Sequence, residues 1–400
     1  MKSIRTERHI IKKDNPMWKT IDHYCFQAKN VYNLGLYIIR QKFINEGKWL
    51  RYNELDNIMH GYECYYELGS QASQNTLTLL DKNWKSFFKA IKDWSKKKGA
   101  GYLGKPALPK YKDKNGRSIL MLKNIQCRIT DGEVYFSWKP FNQFSGIKTN
   151  VTGKLQQIRF VPSGSCYVME IVYETEVLEP FSESRNIIGI DLGIDNFATI
   201  SNNIGVQSII INGKNLKSMN QYYNKTKARL QENVRWSNRL QNLTDKHQRK
   251  IDYFMHRASK LIIDYCLTYG IDTIVIGKND GWKQDINIGK RNNQSFYSIP
   301  HEKFILKLRY KCENYGIIFI ETEESYTSGT SFLDGELPIK ENYNKRRRKK
   351  RGLFVSNDGI KINADLNGAY QIVKKVLPNA YEQWDTGCDL HPVRLTLTNG

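Results

Sequence analysis

Three groups of acidic residues stand out because of where regular structure would place them. In NIIGIDLGIDNFATISN, strand alternation sends Ile188, Ile190 and Leu192 to one face and Gly189, Asp191 and Gly193 to the other. Asp191 is then an acid in mid-strand, flanked on its own face by two glycines. A carboxylate there costs several kcal/mol unless a cation or a set of donors compensates it. The glycines leave room for a ligand to approach the backbone, although neighbouring amides or an arginine could satisfy the acid instead. In KINADLNGAYQIVKKV, Asp365, Ala369, Ile372, Val373 and Val376 share one helix face. Asp365 falls in the first turn, where the helix dipole favours its ionised form. Asn363 already supplies the cap, so Asp365 is expected to point inward toward a sheet. Glu321, Glu323 and Glu324 gather at the carboxyl end of the strand GIIFIETEE, where open α/β sheets place their sites. Carboxylates from three separate elements, without Cys or His at metal-ligand spacing, suggest oxygen-ligated Mg2+ or Mn2+. Such ions suit phosphodiester hydrolysis.

The elements that would carry these acids alternate between strand and helix from Arg185 onward, which indicates an α/β layer. After the strand–turn–strand around Asp191 comes a long helical region to about Tyr269, with a break expected near residues 241–246. A strand (IDTIVIG), a polar loop, a helix (His301 to Tyr315), the GIIFIETEE strand, a basic loop and a helix from Asn363 follow. Upstream, residues 16–47 and about 70–98 read as helices, and the second carries Lys85 and Lys89 mostly off its apolar stripe. Beyond a Gly/Pro/Lys loop the pattern turns to β. There Asp131-Gly132, between two alternating runs, signals a hairpin. Glu179, Pro180 and the serines after them read as a linker.

The chain has 400 residues, with 62 Lys+Arg against 40 Asp+Glu, a net charge of +22. No window approaches the roughly 18 apolar residues of a membrane span, and the basic start lacks the apolar stretch of a signal peptide. A soluble intracellular protein with a polyanionic partner is expected. The charge is uneven. Residues 1–150 hold 27 basic and 13 acidic side chains, net +14, and residues 201–250 hold 10 against 2, net +8. A seven-residue basic run, KRRRKKR from Lys345 to Arg351, favours phosphate contacts. Seven scattered cysteines with no CxxC read as reduced thiols.

GIDLGIDNFATIS resembles the first RuvC motif of the TnpB family of insertion-sequence-encoded proteins, relatives of the type V CRISPR effectors. INADLNGAYQI resembles the third. TIVIGKNDGWKQ, NNQSFYSIP, ESYTSGTSFLD, LLDKNWKSFFKAIKDW and GKPALPKYK extend the resemblance over nearly the whole chain. The resemblance implies an RNase-H-like RuvC domain over residues 181–400, with a basic insert at 329–361. It also implies a β-barrel wedge domain (1–15 and 118–180) and a helical recognition domain (16–117). Asp191 and Asp365 would be the catalytic aspartates. The implied activity is RNA-guided, Mg2+-dependent DNA cleavage by a transposable element's endonuclease, in the bacterial cytoplasm at the nucleoid. The partners would be a guide RNA from the transposon end and double-stranded DNA beside a short motif, read mostly by base pairing. Lys85 and Lys89 on the second upstream helix, Lys225 and Arg229 on the long helical region, Trp282 and Lys283 in the polar loop, and Arg346, Arg347, Arg348 and Lys349 in the basic run are candidate nucleic-acid contacts. For the helical positions a solvated face serves equally well, as does packing on its own domain for Trp282.

Two departures from the family matter. The stretch between the second and third RuvC motifs has no cysteine, so zinc is not expected. The RuvC-II glutamate usually ends the strand represented by TIVIG, and Gly277 stands there. Either activity is lost, leaving a nuclease-dead RNA-guided DNA-binding protein, or the acid comes from the neighbouring strand. Glu324 is the first choice for that ligand, Glu323 the alternate and Asp280 a distant third.

Overall fold

The computed structural model describes residues 2–232, 234–278, 299–350, 352–382 and 390–397. It divides into two compact units, residues 2–176 and 177–400.

In the first unit, β1 (Lys2–Ile11), β7 (Cys166–Glu176), β6 (Lys154–Ser163) and β2 (Leu120–Lys123) form an antiparallel sheet in that order. Helices α1 (Trp18–Glu46), α2 (Tyr52–Met59), α3 (Glu63–Leu68) and α4 (Ser70–Lys96) share one hydrophobic cluster with it. Ile21, Leu77 and Trp84 from the helices meet Ile158, Phe160 and Met169 from the sheet there, all fully buried. A smaller sheet joins β3 (Cys127–Thr130), β4 (Glu133–Phe136) and β5 (Ile147–Lys148). Asp131 and Gly132 link the first two with φ of 53° and 73°, the left-handed pair of a tight hairpin.

The second unit is built on a six-stranded sheet ordered β12-β11-β8-β9-β10-β16. The strands are β8 (Ile187–Leu192), β9 (Asn196–Asn202), β10 (Ile209–Asn212), β11 (Thr273–Gly277), β12 (Ile318–Thr322) and β16 (Val393–Leu395). β8, β11 and β12 run parallel, β9 is antiparallel between β8 and β10, and β16 lies parallel to β10. Alternation gives the central strands two apolar faces, as a sheet covered on both sides requires. Ile188, Ile190, Ile274 and Ile276 pack with Phe254, Met255 and Phe304 of α6 (Asn238–Tyr269) and α7 (His301–Tyr315). On the opposite face, Val275 packs with Ile372 and Val373 of α8 (Ala364–Val376).

The break in the long helical region falls at residues 231–237, between α5 (Lys214–Leu230) and α6, not at 241–246. Ser237 caps α6 by accepting from the Leu240 N–H at 3.2 Å. The polar residues that suggested an interruption bond within the helix instead. Thr244 donates to the Leu240 carbonyl at 2.9 Å, and Gln241 to Asp245, also at 2.9 Å. The basic run is likewise no simple loop. Arg348–Lys350 form β13, which pairs with β14 (Leu353–Val355), and β14 pairs with β15 (Lys361–Asn363). This small sheet is anchored by Phe354 and Ile362 against Phe332, Leu366 and Tyr370. The described cysteines are free thiols, all buried except the half-buried Cys64. Among the described residues, no helix is long and apolar enough to cross a membrane.

Candidate active site

Asp191 projects from β8 toward α8, on the same face as Gly189, and close packing there explains the glycines. A Cβ on Gly189 would collide with the Ala369 carbonyl of α8, and one on Gly368 would lie 2.8 Å from Asp191 Oδ2. With no side chain at either position, helix and strand approach until the Asp191 carboxylate reaches the first turn of α8. Asp365 stands in that turn. The Asn363 side chain accepts from the backbone N–H groups of Asp365 (3.0 Å) and Leu366 (3.1 Å), which leaves the Asp365 carboxylate free of capping duty.

Glu324 reaches the same place from a third strand. In register, Ile190 of β8 lies beside Ile276 of β11, and Gly277 lies beside Thr322 of β12. Gly277 is therefore one step beyond that pair, next to Asp191, and Glu324 follows two residues after its own neighbour. A Cβ on Gly277 would lie 2.5 Å from Glu324 Oε1, 2.6 Å from Glu324 Cγ and 2.7 Å from Ile372 Cδ1. The side-chain space above Gly277 is thus filled by the Glu324 carboxyl.

Asp191, Glu324 and Asp365 line one cavity of about 570 Å³, together with Arg348, Lys214 and Arg394. Burial, then the negative charges of Glu324 and Asp365, push the Asp191 carboxyl well above the usual range, with Arg348 opposing. Burial pushes Glu324 up to about 7. Asp365 is engaged at both oxygens: Arg348 Nη2 donates to Oδ1 at 3.0 Å and Asn196 Nδ2 to Oδ2 at 2.6 Å.

The acids of this cavity fit a hard divalent cation in chemistry. They offer only carboxylate oxygens, and their mutual repulsion is relieved by positive charge. Among the described residues, no group of three acidic, histidine or cysteine side chains is placed so that it could hold a metal ion. One oxygen of Asp365 faces the Arg348 guanidinium.

The other expected residues are distributed as follows. Glu323 is exposed and turned to Lys375, whose proximity holds its carboxyl below the ordinary value, and it does not line the cavity. Glu321 pairs with Lys278 (3.2 Å) and with Arg309. Asp280, Trp282 and Lys283 lie outside the described residues. Lys85 pairs with Asp81 at 2.5 Å, while Lys89, Lys225 and Arg229 are exposed on their helices. The basic run is divided. Arg347 pairs with Glu336 at 2.5 Å and Arg348 with Asp365, whereas Arg346 and Lys349 face solvent. Two of the four charges expected to meet phosphate are therefore already committed within the fold. Asn196, Lys214 and Arg394 at the cavity were not anticipated. Asn196 stood in view at the far side of the GIDLG turn, but nothing in its neighbours connected it with Asp365, 169 positions away.

Two family models match the chain. OrfB_IS605, described as a probable transposase, matches residues 170–283, and the Cas12f1-like TNB domain matches residues 301–372. The TnpB-like protein ORF457 of Acidianus two-tailed virus is 22% identical over 402 residues, covering 88% of this chain and 82% of that protein. The chain belongs to the TnpB family. The two matched segments of this TnpB-family protein carry the three acids between them: Asp191 in the first, Glu324 and Asp365 in the second. Among solved structures, a Cas12f1–sgRNA–target DNA complex is 17% identical with a TM-score of 0.39, covering 92% of this chain and 98% of that one. CasPhi-2 (Cas12j) bound to crRNA is 9% identical with a TM-score of 0.42, covering 95% and 98%.

Proposed function

We propose that this protein is an RNA-guided DNA endonuclease of a transposable element, with Asp191, Glu324 and Asp365 as the residues that hold Mg2+ (or Mn2+). The observation that carries this reading is the Glu324 carboxyl, which occupies the side-chain space of Gly277 in one cavity with the two aspartates. Where the family's glutamate is missing, an acid from the next strand supplies the same functional group. Membership of the TnpB family and the +22 net charge support RNA and DNA as partners.

Bound divalent ions would supply charge stabilisation for the phosphodiester oxygens and an activated water. The chain's own residues do the rest. Asp191 and Glu324 are protonated more readily than free carboxyls, and a bound cation would favour their anionic forms. Asn196 holds the orientation of Asp365 through its amide. Arg348 brings to the acids a guanidinium, a group suited to a substrate phosphate.

The test is cleavage of a guide-matched plasmid in Mg2+ by the wild type, Asp191→Ala and Glu324→Ala. Loss of cleavage in both variants is expected, with RNA and DNA binding retained. Binding without cleavage by the wild type would favour the nuclease-dead alternative, and undiminished cleavage by Glu324→Ala would remove that residue from the site.

A further inference from the structure

The acids occupy only part of the cavity. Lys214 and Arg394 also line it, and neither side chain enters an ion pair among the described residues. Nearby cations are engaged: Arg348 with Asp365, and Lys217 with Asp195 at 2.9 Å. The two unpaired cations are held together by the sheet edge. Ile210 of β10 lies opposite Arg394 of β16, and Lys214 begins the helix that follows β10. Side-chain bonds lock this corner. Asn212 donates to Thr396 Oγ1 (3.1 Å) and accepts from the Lys214 N–H (3.0 Å), while Asn215 donates to the Leu397 carbonyl (3.0 Å). The backbone under both cations is therefore fixed, although their ends are exposed.

We propose that Lys214 and Arg394 form a clamp for a backbone phosphate of the strand being cut, next to the scissile phosphate and not the scissile phosphate itself. The inference rests on the nuclease reading above. β10 and β16 are two and three strands from β8, so the clamp is roughly 10–14 Å from Asp191 at about 4.8 Å per strand. That spacing between backbones lets the acids and the cations meet neighbouring phosphates of one strand. A cavity with acids at one end and unpaired cations at the other matches a chain of phosphates whose reacting member meets metal and whose neighbour meets protein charge. In the terms of catalysis these are positioning residues.

The test uses the full-length protein with its copurified RNA and a single-stranded DNA oligonucleotide, in Ca2+ so that binding is read without cutting. Single phosphates are replaced in turn by neutral methylphosphonates. One position is expected to weaken wild-type binding several-fold and to have no effect on the Lys214→Gln/Arg394→Gln variant. That variant should also lower the slope of log affinity against log salt by about 0.7, the value for one lost phosphate contact on a single strand. Lys214→Arg/Arg394→Lys should keep both properties, which separates lost charge from a fold defect. Equal methylphosphonate profiles in wild type and Gln variant, or an unchanged salt slope, would overturn the clamp. Cleavage in Mg2+ is scored separately. Cleavage with equal profiles defeats only the clamp, whereas position-specific coupling without cleavage supports the clamp and defeats the nuclease reading.

Discussion

Gly277→Ala is the most direct probe of the role proposed for Glu324. The new methyl carbon would stand 2.5 and 2.6 Å from Glu324 atoms and 2.7 Å from Ile372 Cδ1. All three contacts are closer than packed carbons allow, so the Glu324 side chain and the end of Ile372 must move. Overpacking of this size costs about 1–3 kcal/mol. A carboxylate displaced from the cation site should also slow cleavage by about 30-fold for 2 kcal/mol of lost transition-state binding. Two of the three clashes belong to Glu324. In a Glu324→Ala background only the Ile372 contact remains, so the stability cost of Gly277→Ala should shrink by about 1 kcal/mol. The assay is a double-mutant cycle on chemical denaturation midpoints, paired with cleavage rates for the four proteins. Gly277→Glu in the Glu324→Ala background should then restore measurable cleavage, because the carboxyl returns to the same space from the adjoining strand. Additivity within about 0.3–0.5 kcal/mol, together with no rescue, would refute the idea that the two positions share one functional space.

Arg348→Met should tighten Mn2+ binding about two- to five-fold by removing the guanidinium that competes for Asp365, while cleavage slows; weaker Mn2+ binding would show that Arg348 instead props the acid in place. Folding stability measured in chelator should fall as pH rises from about 4.5 to about 7. The raised Glu324 and Asp191 carboxyls make the folded chain bind more protons than the unfolded one in that window, and the loss is on the order of 3 kcal/mol. Glu324→Gln should flatten that slope, and a thermal midpoint constant across the window in wild type would contradict the burial of these acids. Asn196→Ala should lower Mn2+ affinity about 10-fold or more through loss of the Asp365 orienting bond, whereas an unchanged titration would show that Arg348 alone orients the acid.

Much of this protein can be read from residue order because the deciding interactions are local. Strand alternation placed Asp191 opposite Ile188 and Ile190, and helical spacing placed Asp365 on the face of α8 turned to the sheet. Asn363 was identifiable as the cap because capping reaches only two or three residues along the chain. Residue order could not choose among neighbouring glutamates. Glu323 and Glu324 differ by one position, and past the last paired residue of β12 alternation no longer governs direction. The choice came from across the sheet: Lys375 draws Glu323 outward, and the missing side chain at Gly277 admits Glu324. The basic run shows the same limit. Its charge was evident, but whether an arginine meets phosphate or an internal acid depends on the hairpin that turns Arg348 toward Asp365 and Arg347 toward Glu336. Lys214 and Arg394, 180 positions apart, meet only because β16 pairs with β10 at the sheet edge. Sequence alone settled which elements carry the acids and what chemistry those acids favour, since both follow from periodicity and residue type. Tertiary structure alone decided which acid, which arginine and which unpaired cations share the cavity, because close approach between distant strands has no periodicity to betray it.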